Sequence, residues 1–106
     1  MLFLVKGEVK GVLPLPPEQM LELAVKEWET VLSYGKEGKI VAGGAMAGRK
    51  GGCGIFSVDS AEELHTLVSK LPMFPFCEWE IIPLVPVEYA LESTKQSLAA
   101  VRDQSK

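Results

Sequence analysis

The 106-residue sequence offers few side chains able to do chemistry, and their spacing limits what that chemistry can be. It has one histidine, His65, and two cysteines, Cys53 and Cys77. Cys77 and His65 are conceivable as a thiol nucleophile and its base, but no third residue is placed to orient the pair. With a single histidine and two distant cysteines, the ligand spacing of a zinc site is missing. Lys6 and Glu8 lie two apart on one strand face, where they could line a cavity or pair across strands. Arg49 and Lys50 sit in "GRKGGCG". A phosphate-cradling glycine loop must lead from a strand into a helix, and this stretch joins two strands. It reads as an exposed hairpin loop, or as a mobile lid whose cations meet an anionic substrate. "LPMFPF" at 71–76 puts two prolines and two phenylalanines into six positions. So much apolar surface in a connection needs a wall to pack against, in this chain or in another subunit.

These candidates must be positioned by a single domain, since 106 residues can build one core and not two. Hydrophobic residues make up 47% and charged ones 24%, an ordinary globular balance. A net charge of -3 without a basic cluster argues against nucleic acid and anionic membranes as partners. The opening "MLFLVKGEV" lacks the layout of a signal peptide, and no apolar run approaches the roughly 18 residues of a membrane span. Two thiols do not make a disulfide framework, so free buried cysteines in a reducing cytoplasm are expected.

Alternation over Leu2 to Val9 predicts a strand, with Phe3, Val5 and Val9 on one face. The proline-rich "KGVLPLPP" bars a helix interior and delivers the chain to Pro17, suited to a first helical turn. Residues 17 to about 35 show helical spacing with Leu21, Ala24, Trp28, Val31 and Leu32 on one stripe. "KIVAGGAMA" (39–47) and "CGIFSV" (53–58) read as paired antiparallel strands. "DSAEEL" starts a second helix that runs to about Lys70 with Leu64, Leu67, Val68 and Leu71 inward. "EWEIIPLVPV" is a strand that Pro83 confines to a sheet edge. A last helix from about Val87 to Val101 is expected to dock on this chain or a partner, with "RDQSK" fraying.

The order β-α-β-β-α-β plus a C-terminal helix is the ferredoxin-like α+β pattern, a four-stranded antiparallel sheet with two helices on one face. Phe3, Val5, Phe56, Val58, Trp79 and Ile81 are more apolar groups than two helices need, which predicts a second sheet stacked by dimerisation. Residues 1–86 form the domain, and 87–106 form a helix and tail that serve as an oligomer contact.

"LHTLVSKLPMFPF" at 64–76 resembles the signature of the muconolactone isomerase family, in which a helix bearing Leu-His runs into Leu-Pro-Leu-Phe-Pro-Tyr. "MLFLVK" resembles that family's first strand and "FSVDSAEELH" its third strand and second helix, so the likeness spans about residues 1 to 86. It implies a dimeric α/β barrel, often further assembled into a ring-like higher homo-oligomer with its tails exchanged between subunits. It implies a cofactor-free 1,3-proton shift on a small unsaturated lactone in aromatic degradation. Such a shift needs one group to carry the proton and another to hold the dienolate. The family's Glu-Lys-Glu run on the first helix matches "EWE", which makes Glu27 the implied proton carrier and puts Trp28 in the middle position. Lys6 or Arg49 are the implied anion partners, and His65, Trp28 and Phe76 the other implied substrate contacts.

Two other readings fit the same fold. One is a cofactor-free monooxygenase of the wider dimeric barrel superfamily. The other is a small-ligand-binding or assembly module without catalysis, suggested by the glycine and alanine of "VAGGAMAG", which supply no polar pocket groups.

Overall fold

The computed structural model describes residues 1–105. Strands β1 (Leu2–Val9), β2 (Ile40–Ala45), β3 (Gly51–Ser57) and β4 (Cys77–Leu84) alternate with helices α1 (Pro17–Lys36), α2 (Ala61–Ser69) and α3 (Val87–Gln104), with a short 3-10 turn at Phe74–Phe76. The strands form one antiparallel sheet in the order β2-β3-β1-β4. This is the ferredoxin-like arrangement, and β4 carries Pro83 at the sheet edge, where its missing N–H breaks no inner ladder.

Local sequence accounts for the helix limits. α1 starts at Pro17, whose fixed φ suits the first turn. It ends in a Schellman motif: Gly38 adopts φ +76, its N–H donates to the Gly35 carbonyl, and the Lys39 N–H donates to that of Tyr34. α2 is capped by Ser60, whose hydroxyl accepts the Glu63 N–H at 3.1 Å. The Glu63 carboxylate pairs with Lys39 at 2.6 Å, fastening the start of α2 to the end of α1. α3 continues to Gln104, so Arg102 and Asp103 are helical rather than frayed.

The core lies between one sheet face and the helices α1 and α2. Phe3, Val5, Phe56 and Val58 meet Tyr34, Leu64, Val68 and Leu71 there, and all eight are buried. Tyr34 sets its ring edge-on to Phe56 with centroids 6.2 Å apart, and its hydroxyl donates to the Leu67 carbonyl at 2.7 Å. This placement corrects the reason given for a stacked second sheet. Phe3, Val5, Phe56 and Val58 are satisfied by this chain's own helices. The pairings Leu2↔Leu84, Leu4↔Ile82 and Leu4↔Ile55 put a different apolar set on the opposite, helix-free face, where each residue is half-buried.

The stripe of α1 is also corrected. Its inward line is Leu23, Ala24, Glu27, Val31 and Tyr34, while Leu21 and Leu32 are 68% and 66% exposed on the outer side. A helix with two apolar lines leaves helical periodicity unable to say which one the sheet takes. α3 stands apart from the sheet, and every described residue of it is exposed. The radius of gyration is accordingly 18.4 Å, against about 13 Å for a compact chain of 100 residues. Among the described residues, no helix is long and apolar enough to cross a membrane.

Candidate active site

Glu27 sits midway along the inward line of α1, where apolar neighbours are the rule and a carboxylate needs a partner. The partner is the Met73 N–H, which donates to Glu27 Oε1 at 3.0 Å. Burial raises the Glu27 carboxyl above its ordinary range, and the Met73 hydrogen bond offsets part of that rise. A carboxylate stripped of part of its hydration is a stronger base than one in water, a property suited to carrying a proton.

The Met73 amide is aimed by the apolar loop at 71–76. Leu71 N–H donates to Val68 at 3.1 Å, Phe74 N–H to Leu71 at 2.9 Å and Phe76 N–H to Met73 at 3.0 Å, so the loop is a chain of successive tight turns. Leu71 and Met73 are buried, and Phe74 packs on the core. Trp79 on β4 locks the loop from outside. Its ring stacks on Phe74 with centroids 5.9 Å apart, and its Nε1 donates to the Phe74 carbonyl at 3.0 Å. The apolar wall required by "LPMFPF" is therefore in this chain.

Two glycines make room for the indoles. Gly7 and Gly52 are directly paired across β1 and β3. A Cβ on Gly7 would come within 2.5 Å of Trp79 Cζ3, and one on Gly52 within 2.8 Å of Trp28 Cη2. Trp28, next to Glu27 in sequence, thus lays the tip of its ring on β3 while remaining 40% exposed. The indoles of Trp79 and Trp28 thus cover the two paired glycines, on the sheet face against which α1 packs.

The remaining candidates lie elsewhere. Lys6 pairs in register with Cys53 and Glu80 on the helix-free face, so the sheet separates its side chain from Glu27. It lines a depression of about 210 Å³ that also holds Glu8, Arg49 and Glu80, a site of balanced charge rather than an anion trap. Arg49 is neither a loose loop cation nor a lid. Its Nε and Nη2 donate to Glu8 at 2.8 and 2.6 Å, a bidentate pair that holds the Glu8 carboxyl below its usual range. Lys10, just past the end of β1, pairs with Glu78 of β4 at 3.1 Å. His65 is exposed on α2. Phe76 is half-buried at the end of the 3-10 turn, and it is Phe74 that meets Trp79.

Cys77 is not a nucleophile paired with His65. Burial and, secondarily, the nearby Glu27 charge push its thiol up to about 11, so it stays protonated at neutral pH. Both cysteines are free. No group of three or more His, Cys, Asp or Glu side chains is placed to hold a metal among the described residues.

Met73, Phe74 and Trp79 are the site-building residues that residue chemistry did not flag. Met73 acts through its backbone, which carries no sequence signature, whereas the aromatic loop itself was a visible signal.

The family model for muconolactone delta-isomerase matches residues 1–88. The muconolactone delta-isomerase of Cupriavidus pinatubonensis is 33% identical over 84 residues, covering 79% of this chain and 91% of its own. That of Rhodococcus opacus is 34% identical over 83 residues, covering 78% and 89%. A crystal structure of muconolactone isomerase superposes with a TM-score of 0.73 at 31% identity, covering 81% of this chain and 90% of that one. A 5-chloro-2-hydroxyhydroquinone dehydrochlorinase from Burkholderia phenoliruptrix, at 20% identity and a TM-score of 0.58, shares the fold alone. With nearly the whole β1 to β4 unit matched in sequence and in fold, the chain belongs to the muconolactone delta-isomerase family.

Proposed function

We propose that the protein catalyses a 1,3-proton shift on a small unsaturated lactone or related carbonyl acid from aromatic degradation, without a cofactor and with Glu27 as the proton carrier. The observation that carries this reading is a half-buried carboxylate with a raised pKa, held by the Met73 amide on the inward face of α1. In the first step the C–H bond alpha to the carbonyl breaks and its proton passes to Glu27, leaving a dienolate. In the second, Glu27 returns the proton at the gamma carbon and the double bond ends one position along. The relatives' names supply muconolactone as the first substrate to try.

The helix-free face bears on assembly. Leu2, Leu4, Ile55, Ile82 and Leu84 form its apolar half, and Lys6, Glu8, Glu78 and Glu80 its charged half. Stacking this face on that of a second copy would remove the apolar half from water and complete a dimeric barrel.

A second reading, ligand binding without turnover, is favoured by one feature. Burial and the Met73 amide are the influences acting on the Glu27 carboxyl, and neither Lys6 nor Arg49 is placed beside it to hold a dienolate. NMR of the protein with muconolactone in heavy water, beside Glu27→Gln, separates the two. Loss of substrate signals with deuterium entering product, abolished in the variant, supports the isomerase. Saturable shifts of protein resonances without turnover support the binding module and reject the proton shift.

A further inference from the structure

Directly paired positions carry one row across the whole sheet on the side that faces α1: Trp79 on β4, Gly7 on β1, Gly52 on β3 and Ala45 on β2. Glycine weakens a strand interior, and where it occurs there something often approaches the backbone closely. At both glycines of this row the approaching group is an indole.

The two indoles are held differently. Trp79 belongs to the sheet itself, donates its Nε1 to the Phe74 carbonyl and stacks on the Phe74 ring. Trp28 reaches down from α1, and among the described residues its ring has neither a hydrogen bond nor a ring partner. It rests on the bare backbone at Gly52 through Cζ3 and Cη2, the six-membered half of the indole. Its way out is open. Ala45, the next position across the row, brings only a methyl, and it lies on the edge strand β2, where residues 41–45 are all exposed. Trp28 therefore stands at the solvent edge of the helix-covered face, one residue from Glu27 in α1, and the place that it fills is flat, apolar and the size of one small ring.

We infer that Trp28 is a gate: its ring holds the place on Gly52 that the substrate ring takes, and it turns out over the β2 edge to admit it. The inference rests on the reading of Glu27 as the reacting carboxylate, and it narrows the substrate class to a planar ring small enough to lie on Gly52 beside Trp79. A closed gate weakens binding, because a ligand that enters only the open form has its apparent affinity reduced by the open fraction. With about one molecule in ten open, the loss is about tenfold. Removing the gate recovers that factor, whereas removing a fixed wall of the site takes contact away and has the opposite sign.

The test follows the indole N–H resonances of the two tryptophans by nitrogen-15 NMR of the full chain, assigned with Trp28→Phe. Gly52→Ala puts a methyl in the ring's place. It is expected to move the Trp28 resonance toward that of free tryptophan and to raise fluorescence quenching by acrylamide, with the Trp79 resonance nearly still. Muconolactone, added in the Glu27→Gln background so that the ring stays unreacted, is expected to move the Trp28 resonance in the same direction. Adding Trp28→Ala to that background is expected to tighten muconolactone binding several-fold, read from the Met73 amide. Should that variant unfold, Trp28→Leu, too short to cover Gly52, carries the same expectation. Weaker binding without the indole, a Trp28 resonance unmoved by both treatments, or no binding of muconolactone would overturn the gate. Displacement of Trp28 without turnover by the parent protein rejects the proton shift and keeps the gate. Turnover that Glu27→Gln abolishes, with Trp28 static throughout, keeps the proton shift and rejects the gate.

Discussion

Glu27 in the middle of α1 accepts the Met73 N–H at 3.0 Å, across 46 positions of sequence. This one bond ties the first helix to the loop that follows the second. It also fixes a carboxylate in a place where its neighbours are apolar.

Trp79 holds that loop through the Phe74 carbonyl, so it positions Glu27 without touching it. Trp79→Phe keeps a ring for stacking and removes the Nε1 donor. The loss of one hydrogen bond is expected to cost about 1 kcal/mol. The Met73 amide proton, which should move as Glu27 titrates, is expected to move much less in the variant. NMR titration of that amide checks the loop, and a fall in kcat with KM nearly unchanged would follow under the isomerase reading.

Glu27→Gln should stabilise the fold at neutral pH. The folded-state pKa is raised, chiefly by burial, so the folded protein binds the proton more tightly than the unfolded chain. Stability of the parent therefore falls as pH rises from the ordinary carboxylate range through the raised value, and the loss is complete above it. Glutamine does not titrate. Urea midpoints measured at pH 4 and pH 7.5 should show the variant's advantage growing with pH, and a constant difference would contradict it.

Side chains added to the glycine floor should not be equivalent. At Gly7 the clash is with Trp79, which is pinned by its hydrogen bond and its stack on Phe74. At Gly52 it is chiefly with the far edge of Trp28, a ring exposed enough to swing aside, and at 3.0 Å with the Gly44 carbonyl oxygen, which needs to give only slightly. Gly7→Ala is expected to cost about 1–3 kcal/mol, as overpacking does, and Gly52→Ala less. Thermal denaturation of the two variants compares them directly. Because Trp28 and Trp79 are the two tryptophans of the chain, their fluorescence also reports which indole has moved.

Much of this architecture was written in local patterns. Alternation in "LFLVKGEV", Pro17 before an apolar helix, Ser60 with its acidic first turn and Pro83 in the last strand each fixed an element through short-range chemistry. The aromatic loop at 71–76 announced a packed wall, and the resemblance around it pointed to Glu27. Other features depended on which surfaces meet. α1 carries two apolar lines, and only packing on the sheet decides that Glu27 and Tyr34 face inward while Leu21 and Leu32 face out. Lys6 is separated from Glu27 because side chains alternate across a strand and the helices cover one face of the sheet. The Glu8–Arg49 pair and the Met73 donor join residues 41 and 46 positions apart. Local residue patterns set the elements and their order, and the family resemblance singled out a carboxylate. Tertiary structure decided that carboxylate's partner, because a backbone amide is chemically the same at nearly every residue until the fold aims one of them.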